Sequence, residues 1–554
     1  MTSQLQPTSL PPTEVVQAQP SERRQIVKSA TLVMLGNLGS SVLGMVRQIV
    51  VTALGRQVAS AFFSALLPAQ TFNDFLVNGS VNGALIPTFN DYAAPEKRDE
   101  LRRLVFTIVN LVALVMLVAA ILFAIFSPQF IAFIVNGYQQ SDQQLTLNFA
   151  RMIFFSLIAL GPFAVLLAAL YALKEFGWPA FATAAYHVGI IIGAVIGSLL
   201  GARYFGHYGL AIGVLVGALG EIALLIPGLH NQRFGYMFVL DLTHPALRHI
   251  LKLYAPVAFS FLVSMALVFL DQRLAAGAPC AMYVQGVRDC GEANFAAMRA
   301  ATTLVQFPIG LVAAALSIAV LPTLSQYARE GNDERFKETL LLGFRLGLLL
   351  MIPAAAGLIV LRLPIVSLIF RHHNYTAQDV TLTALALQNY AYQLPFVVMD
   401  QLLIAAFYAR KNTIIPVVVG VICITGYLAV ALPFWHTLGT PALAFANTVQ
   451  NSLHAIILLV LLRVAIGSMS VRKTVPTLLK VTVATVAMVA VAWLLQLVLG
   501  HITLFSLDKL IGQFLTVAVA GGLATLVYVG LVLLLKVEEV GLLKRAVLAK
   551  LGRR

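Results

Sequence analysis

The chain has 554 residues, of which 59% are hydrophobic and 11% are charged, and its mean hydropathy is +0.88. Soluble domains carry about 25% charged residues, so this composition excludes a soluble protein and is typical of an integral membrane protein. The net charge of +14 would suit a nucleic-acid-binding protein. The placement of the charges along the chain excludes that class and relates the charge to membrane topology.

Residues 1–26 are rich in Pro, Gln, Ser and Thr and lack an apolar run, so we expect a disordered cytoplasmic tail and not a cleaved signal peptide. Apolar segments of about 20 residues, the length that spans a bilayer, follow along the chain. They predict an all-α membrane protein with about fourteen transmembrane helices, over residues 28–54, 58–89, 104–126, 147–173, 178–200, 208–229, 251–275, 295–327, 339–361, 381–408, 413–434, 441–463, 476–500 and 510–535.

The basic residues are distributed unevenly between the two sides of these spans. If the N-terminus is cytoplasmic, 26 of the 37 Lys and Arg residues lie on the cytoplasmic side and seven lie outside. The positive-inside rule then predicts two cytoplasmic termini, with the basic amphipathic tail 537–554 on the inner leaflet. The other four are Arg47, Arg299, Arg151 and Arg345; the last two lie near span ends, where we expect them to extend to the membrane surface.

The sequence contains an internal repeat at an offset of 233 to 237 residues. Three landmarks recur in one order: "ALIPTFNDYA" (84–93) with "AVLPTLSQYA" (319–328), Pro162–Phe163 with Pro395–Phe396, and "LYALKEFGWP" (170–179) with "FYARKNTIIP" (407–416). Because each unit has six spans, the copies must be parallel, as in several transporter folds. We therefore expect an N-lobe (27–230), a C-lobe (231–464) and two further helices (465–536).

Polar residues within the first two spans form the first candidate site. A charge at mid-bilayer costs about 2.5–3.5 kcal/mol, so Arg47 is a functional candidate by default. Gln70, Asn73 or Asp74, and Asn78 recur at helical spacing on one face of the second span. We expect this face to line a hydrated cavity between the lobes, with Asp74 as the nearest counter-ion. Arg47 is then either a substrate contact or a structural ion pair.

The C-lobe offers a similar face on the eighth span, where Arg299, Thr303 and Gln306 are spaced i, i+4 and i+7. Glu221 and Asp400 are single acids within other spans. Their simplest interpretation is an interhelical hydrogen bond or ion pair, although intramembrane acids can also serve ion or proton movement.

The remaining features of the sequence are its cysteines and the absence of enzyme motifs. Cys280 and Cys290, ten residues apart in a loop predicted to be outside, suggest a local disulfide; two free thiols are the alternative. The sequence has no P-loop, HExxH or GxSxG motif, and the adjacent pair His372–His373 does not form a metal site by itself. We therefore expect a transporter, not an enzyme, with no cofactor.

The chain resembles the MurJ/MviN family of lipid II flippases, within the multidrug/oligosaccharidyl-lipid/polysaccharide exporter superfamily. The resemblance covers nearly all of residues 27–540 and depends on four stretches: "SSVLGMVRQIVV" (40–51), "GALIPTFNDY" (83–92), "VQFPIGLVAAALSIAVLPTLSQYA" (305–328) and "AFYARKNTIIPV" (406–417). It implies a V-shaped cavity between two lobes and a groove for a prenyl tail at the last two spans, 476–500 and 510–535. The implied substrate is a polyprenyl-pyrophosphate-linked sugar-peptide, moved to the outer leaflet of the bacterial plasma (inner) membrane.

The resemblance also implies roles for individual residues. Arg47 matches a cavity arginine that would bind pyrophosphate through charge-assisted hydrogen bonds. Asp271 matches an acid that is linked in some members to a sodium site. Asn447 and Thr448, in the predicted span 441–463, are candidate ligands of the same site. This chain carries neutral residues where relatives carry charge, at Gln48, Asn73 and Thr303, with Arg299 one turn from Thr303. Sodium, protons and the membrane potential all remain open as the source of coupling.

The leading hypothesis is therefore a lipid II flippase that works by alternating access. Two alternatives remain: a flippase for another polyprenyl-linked oligosaccharide, and a degenerate family member that acts as a membrane scaffold in cell-wall assembly. The expected partners are the lipid-linked precursor and membrane lipids. We expect a monomer that could associate with cell-wall synthesis proteins.

Overall fold

The computed structural model describes residues 20–74, 85–201, 206–279, 290–470, 472 and 474–541. The N-lobe consists of α1 (Pro20–Ala53), α2 (Arg56–Asp74), α3 (Ile86–Asn90), α4 (Arg98–Ile134), α5 (Gln140–Phe154), α6 (Leu157–Ala172), α7 (Gly177–Leu200) and α8 (Gly209–Asn231). The C-lobe consists of α9 (Pro245–Gly277), α10 (Cys290–Pro308), α11 (Ala315–Arg329), α12 (Asp333–Val360), α13 (Arg362–Phe370), α14 (Ala377–Ala391), α15 (Leu394–Ala409), α16 (Ile414–Leu438) and α17 (Thr440–Ile466). The last helices are α18 (Thr474–Leu499), α19 (Leu510–Thr516) and α20 (Gly522–Leu534). Short π-helical turns, Ile309–Ala314 and Val517–Gly521, join α10 to α11 and α19 to α20.

The helices match the predicted spans. In the described part of the chain, nine helices are long and apolar enough to cross a membrane, and two bent helix pairs raise the number to eleven. The other three predicted spans correspond to α1, to α2 with the following segment, and to α9. The prediction of an all-α membrane protein with about fourteen spans is therefore confirmed. The prediction of a disordered tail over residues 1–26 is wrong for residues 20–26, which form the first turns of α1. Residues 1–19, the segment 75–84 and residues 542–554 of the predicted C-terminal tail lie outside the described residues.

The two lobes repeat each other in backbone detail. The pair α5–α6 bends by 41° and the pair α14–α15 bends by 45°. The second helix of each pair then ends in a non-glycine residue with positive φ, Lys174 or Lys411, both at 60°. In both caps the next backbone N–H, of Glu175 or Asn412, donates to a carbonyl five residues back, as in a Schellman motif. These matching bends and caps agree with the repeat found in the sequence.

Glycines let α7 and α8 pack with their backbones in contact. Cβ atoms built on Gly193 and Gly213 would lie 2.2 Å from the Gly209 carbonyl oxygen and 2.6 Å from the Gly189 carbonyl oxygen. Real Cβ atoms do not approach this closely, so only glycine fits at these crossings. Small residues at helix interfaces are the usual means of close packing between membrane helices.

We expect Gly193→Val to destabilise the N-lobe, because the added side chain must separate α7 from α8. Overpacking of this kind costs about 1–3 kcal/mol. The measurement is the thermal unfolding midpoint of the purified protein in detergent. Gly530→Val is the matched control, since nothing lies within 4 Å of a Cβ at Gly530. Equal midpoints for the two variants would show that the α7–α8 contact is not tight.

The last three helices pack on the outer side of the C-lobe. The Tyr528 hydroxyl on α20 donates to the Leu349 carbonyl of α12 at 2.6 Å, and α18 packs on both α12 and α20. Arg345 on α12 pairs with buried Glu539, which lies beyond the end of α20, at 2.5 Å; that Arg345 extends to the membrane surface stays a prediction. Sequence spacing could not show this partner, because Glu539 is almost 200 residues away along the chain.

The bundle has two ends, which we call terminal and distal. The terminal end is the one at which α1 begins and α20 ends; the distal end is opposite. At the terminal end, residues 232–250 pack on α4 of the N-lobe: Arg98 donates to Gln232 at 2.6 Å, and Leu247 and Ile250 are part of its apolar core. Helix α9 therefore starts against the N-lobe, and its end packs in an apolar cluster that both lobes share.

Candidate functional site

Arg47 is buried inside the membrane-spanning part of α1. Arg47 is 7% exposed, and its Nε and Nη1 atoms have no hydrogen-bond partner in the described part of the chain. Its guanidinium carbon lies 6.0 Å from the centroid of the Phe63 ring on α2. A cation–π contact contributes about 0.5–2 kcal/mol, which does not replace the hydration that a buried guanidinium loses.

Arg299 of the C-lobe approaches the same ring. Its guanidinium carbon lies 5.6 Å from the Phe63 centroid, and α10 packs on both α1 and α2. Arginines from the two lobes therefore converge on one phenyl ring at the lobe interface. The other two predicted site residues of α10 do not take part in this contact. The Thr303 hydroxyl donates to the Arg299 carbonyl of its own helix at 2.9 Å, and Gln306 is exposed.

Arg47 and Arg299 at Phe63 form what we call the arginine cluster, and buried amide groups with no partner within the described ranges lie on α1 and on two helices that pack against α10. Gln48 on α1 is 1% exposed, and both of its amide atoms lack partners in the described residues; the same holds for Gln272 on α9. On α2, Gln70 lies two turns beyond Phe63 on the same face, and the oxygens of Gln70 and Asn73 are buried without partners among the described groups. Such amides suit a polar ligand, because each amide offers both donors and an acceptor.

The structure does not test every predicted member of this site. The side chain of Asp74 and all of Asn78 lie outside what is described, so the Arg47–Asp74 pair stays a prediction. Phe63 and Gln272 were missed from the sequence. Gln272 had a signal, since it is a second polar residue beside Asp271 in an apolar span. Phe63 had none, because an aromatic residue in such a span is ordinary.

The arginine cluster can bind an anion that carries more than one charge. Guanidinium N–H groups match phosphate and carboxylate oxygens in geometry, and the hydrogen bonds are strengthened by charge. A buried unpaired cation destabilises the protein unless such a partner is present. The arrangement therefore favours a phosphate-bearing ligand held between the lobes.

The three predicted ion-coupling residues have separate partners. Asp271 on α9 accepts a hydrogen bond from the Tyr427 hydroxyl of α16. Asn447 accepts from the Asn451 amide of the same helix at 3.1 Å, and the Thr448 hydroxyl donates to the Asn389 carbonyl at 2.6 Å. Among the described residues no group of three or more His, Cys, Asp or Glu side chains could hold a metal ion. A sodium site at Asp271, Asn447 and Thr448 stays a prediction.

The cysteines are assigned as far as the described residues allow. Cys290 at the start of α10 is disulfide-bonded, and Cys423 on α16 is free and buried. Cys280 lies outside the described residues, so its pairing with Cys290 stays a prediction.

The two lobes are in close contact at the distal end. Arg56 pairs with Asp379 at 3.4 Å, the Asn374 N–H donates to the Ala53 carbonyl at 3.3 Å, and Glu292 accepts from the Gln139 N–H at 2.8 Å. Beside these contacts, Arg371 donates to Asp508 at 2.9 Å and lowers the pKa of that carboxyl group. The distal end is therefore closed over the arginine cluster.

Comparison with known proteins agrees with this architecture. The family model described as lipid II flippase MurJ matches residues 50–512. A probable lipid II flippase MurJ of Bdellovibrio bacteriovorus is 26% identical over 532 residues, which cover 95% of this chain and 98% of that protein.

Two solved structures share the fold. One, described as lipid II flippase MurJ in an inward closed conformation, aligns with a TM-score of 0.72 at 21% identity, over 90% of this chain and 98% of its own. The other, an inward-facing MATE family transporter of the MOP superfamily, aligns with a TM-score of 0.66 at 15% identity, over 78% of this chain and 95% of its own. The lipid II flippase MurJ model matches most of the length of this chain, so the chain belongs to the lipid II flippase MurJ family.

Proposed function

We propose that this protein is a transporter that moves lipid II from the inner to the outer leaflet of the bacterial plasma membrane by alternating access. The observation that carries the proposal is the arginine cluster at Phe63, where the two lobes meet. Lipid II joins its prenyl tail to its headgroup through a pyrophosphate, which is the kind of multiply charged anion that this cluster fits. Family membership supplies the substrate class.

The proposal assigns a contact to each polar residue of the candidate site. Arg47 binds the pyrophosphate through its free N–H groups, and Arg299 binds it from the other lobe. Gln48, Gln70 and Asn73 contact the adjoining sugar or phosphate oxygens. A ligand held by both lobes stabilises one arrangement of the lobes over another, which is what alternating access requires.

The distal end faces the outside in this proposal, and both termini are cytoplasmic. The asymmetry of Lys and Arg between the two sides supports this orientation. The described conformation is then closed to the outside, and a solved relative described as inward closed has the same fold. The prenyl tail remains in the membrane, and α18 to α20 provide the surface beside which it lies.

The proposal is tested by depleting the lipid II flippase of a bacterial host and expressing this chain. We expect growth to be restored, and lipid-linked precursor to become accessible to an added enzyme that cleaves it from outside. Failure of a well-expressed, membrane-inserted protein would contradict lipid II transport in that host. Rescue of another polyprenyl-linked oligosaccharide pathway alone would instead identify the sibling exporter activity. If neither pathway is rescued, the scaffold hypothesis becomes the leading one.

A further inference from the structure

Asp400 and His454 form a buried acid–imidazole pair within the C-lobe. The Nδ1 atom of His454 lies 2.6 Å from Oδ1 of Asp400, and the two side chains are 13% and 12% exposed. His454 is about midway along α17 and Asp400 about midway along α15. Neither residue contributes to the arginine cluster described above. Intramembrane acid–histidine pairs are characteristic of proton relays.

The heavy-atom geometry fixes how many protons the pair holds. The other ring nitrogen, Nε2, lies 3.0 Å from the Pro416 carbonyl oxygen of α16. A carbonyl oxygen can only accept, so Nε2 must carry a hydrogen. The contact between Nδ1 and Oδ1 also needs one hydrogen, placed on either atom. The pair in this conformation therefore holds one exchangeable proton and has no net charge.

Loss of that proton would destabilise the described contact. If the remaining ring hydrogen stays on Nε2, the Nδ1 lone pair faces a carboxylate oxygen at 2.6 Å. If it moves to Nδ1, the Nε2 lone pair faces the Pro416 carbonyl oxygen at 3.0 Å. In either tautomer the pair carries one negative charge inside the membrane. A buried charge without a partner is costly. One of the two His454 contacts must then lengthen, which changes the packing of α17 against α15 or against α16.

In the described part of the chain, few other ionisable groups face the pair. Among the described residues, Cys423 on α16 is a titratable side chain close enough to interact with the Asp400 charge. On the other helices that pack against α15 or α17, the charged residues within the membrane are engaged elsewhere. Arg345 on α12 pairs with Glu539, Arg299 on α10 lies over Phe63, and Asp271 on α9 contacts Tyr427.

Next to the pair on the same helix interface lies a set of amides that do not titrate. Asn451 donates to Gln393, the residue before α15, at 2.5 Å, and also to Asn447. Asn447, Asn451 and His454 share one face of α17 by their i, i+4, i+7 spacing. The interface between α15 and α17 is therefore polar along its length, with its titratable member at Asp400 and His454.

The N-lobe lacks an equivalent pair. Residue 221, which precedes His454 by 233 positions, is Glu221 on α8, and the residue that precedes Asp400 by 233 is Leu167. Glu221 is buried, at 3% exposed, but has no imidazole at the repeat-related position. It is therefore a matched control: a buried acid at the same depth in the other lobe.

We propose that Asp400 and His454 are the proton-binding site of this transporter, and that one proton bound there couples proton movement to the change in lobe arrangement. The coupling part rests on the proposed lipid II transport; the proton-binding part does not. The described conformation, closed at the distal end, is the protonated one. Deprotonation removes one of the two His454 contacts, to Asp400 on α15 or to Pro416 on α16, and disfavours this conformation.

The binding of the proton is tested by NMR of the full chain with ¹⁵N-labelled histidine, in nanodiscs. His454→Gln identifies the His454 signals, which we expect to titrate with one proton bound between Nδ1 and Asp400. Asp400→Asn should shift the titration midpoint by about one pH unit or more, and Glu221→Gln should leave it unchanged. A His454 signal that does not change between about pH 5 and 9, or that titrates identically in Asp400→Asn, would overturn the proposal.

The coupling is tested in proteoliposomes with a fluorescent lipid II analogue, under a pH gradient with the membrane potential clamped to zero. We expect the gradient to change the wild-type transfer rate about tenfold, corresponding to about 1.4 kcal/mol. Asp400→Asn and His454→Gln should lose this response, and Glu221→Gln should keep it. Transfer that ignores the gradient would overturn the coupling. Absence of any wild-type transfer would contradict the proposed function, while the NMR titration would still decide whether the proton site exists.

Discussion

Replacing Arg47 by Gln should abolish rescue of a flippase-depleted host without lowering the stability of the protein. Charge-assisted hydrogen bonds contribute about 1.5–3 kcal/mol each, so we expect substrate transfer to fall about 10- to 150-fold. Stability should be unchanged or higher, because two N–H groups of Arg47 have no partner in the described structure and an unpaired buried cation opposes folding. The measurements are growth rescue and the unfolding midpoint of the purified variant.

The control is Arg345→Gln, which removes an arginine that, unlike Arg47 among the residues described, pairs with a carboxylate. Arg345 pairs with Glu539, whose side chain is 3% exposed. Its loss leaves a buried carboxylate without its cation, at a cost of about 3–5 kcal/mol. Arg345→Gln should therefore unfold at lower temperature, whereas Arg47→Gln should not. If Arg47→Gln is destabilised as strongly as Arg345→Gln, Arg47 is half of a structural ion pair.

Replacing Gly137 by Ala should prevent complete closure of the distal end. A Cβ at Gly137 would lie 1.9 Å from the Ala276 carbonyl oxygen of the other lobe. The backbones must separate by more than an ångström, at a cost of about 1–3 kcal/mol. This shifts the population away from the distal-closed state about 5- to 150-fold, and we expect transport to fall with it.

The measurement is the reaction of a cysteine at Thr52, introduced as Thr52→Cys in a Cys423→Ala background, with a membrane-impermeant maleimide. Thr52 is fully buried below the distal contacts, so the label should react slowly in the parent and faster in Gly137→Ala. Gly39→Ala is the matched control, because nothing lies within 4 Å of its Cβ. Equal labelling of both variants would show that the distal contact is loose.

The sequence predicted the membrane class, the spans and the repeat, because these depend on local properties. Runs of apolar residues identify spans without knowledge of their neighbours. The bends of the α5–α6 and α14–α15 pairs and the caps at Lys174 and Lys411 also follow from repeated local sequence. Family membership was likewise recognisable from short, specific stretches.

The pairing of polar groups between helices was harder to predict. Spacing placed Arg299 on a polar face, but could not show that its guanidinium and that of Arg47 meet at Phe63. Asp400 was identified as a single acid, and its partner His454 was missed because the two residues lie on different helices. The pair formed by Arg345 and Glu539 was missed for the same reason. Helix rotation and lobe packing decide these contacts, and local periodicity does not contain that information.

The most direct test of the central claim is the transfer of fluorescent lipid II between leaflets by the purified protein in liposomes. The proposal predicts transfer by the wild type above protein-free liposomes, and a rate about tenfold or more lower for Arg47→Gln, in line with the loss of a charged hydrogen bond. Folded wild type that transfers no lipid II, or Arg47→Gln that transfers it at the wild-type rate, would contradict the assignment of the arginine cluster as the pyrophosphate site.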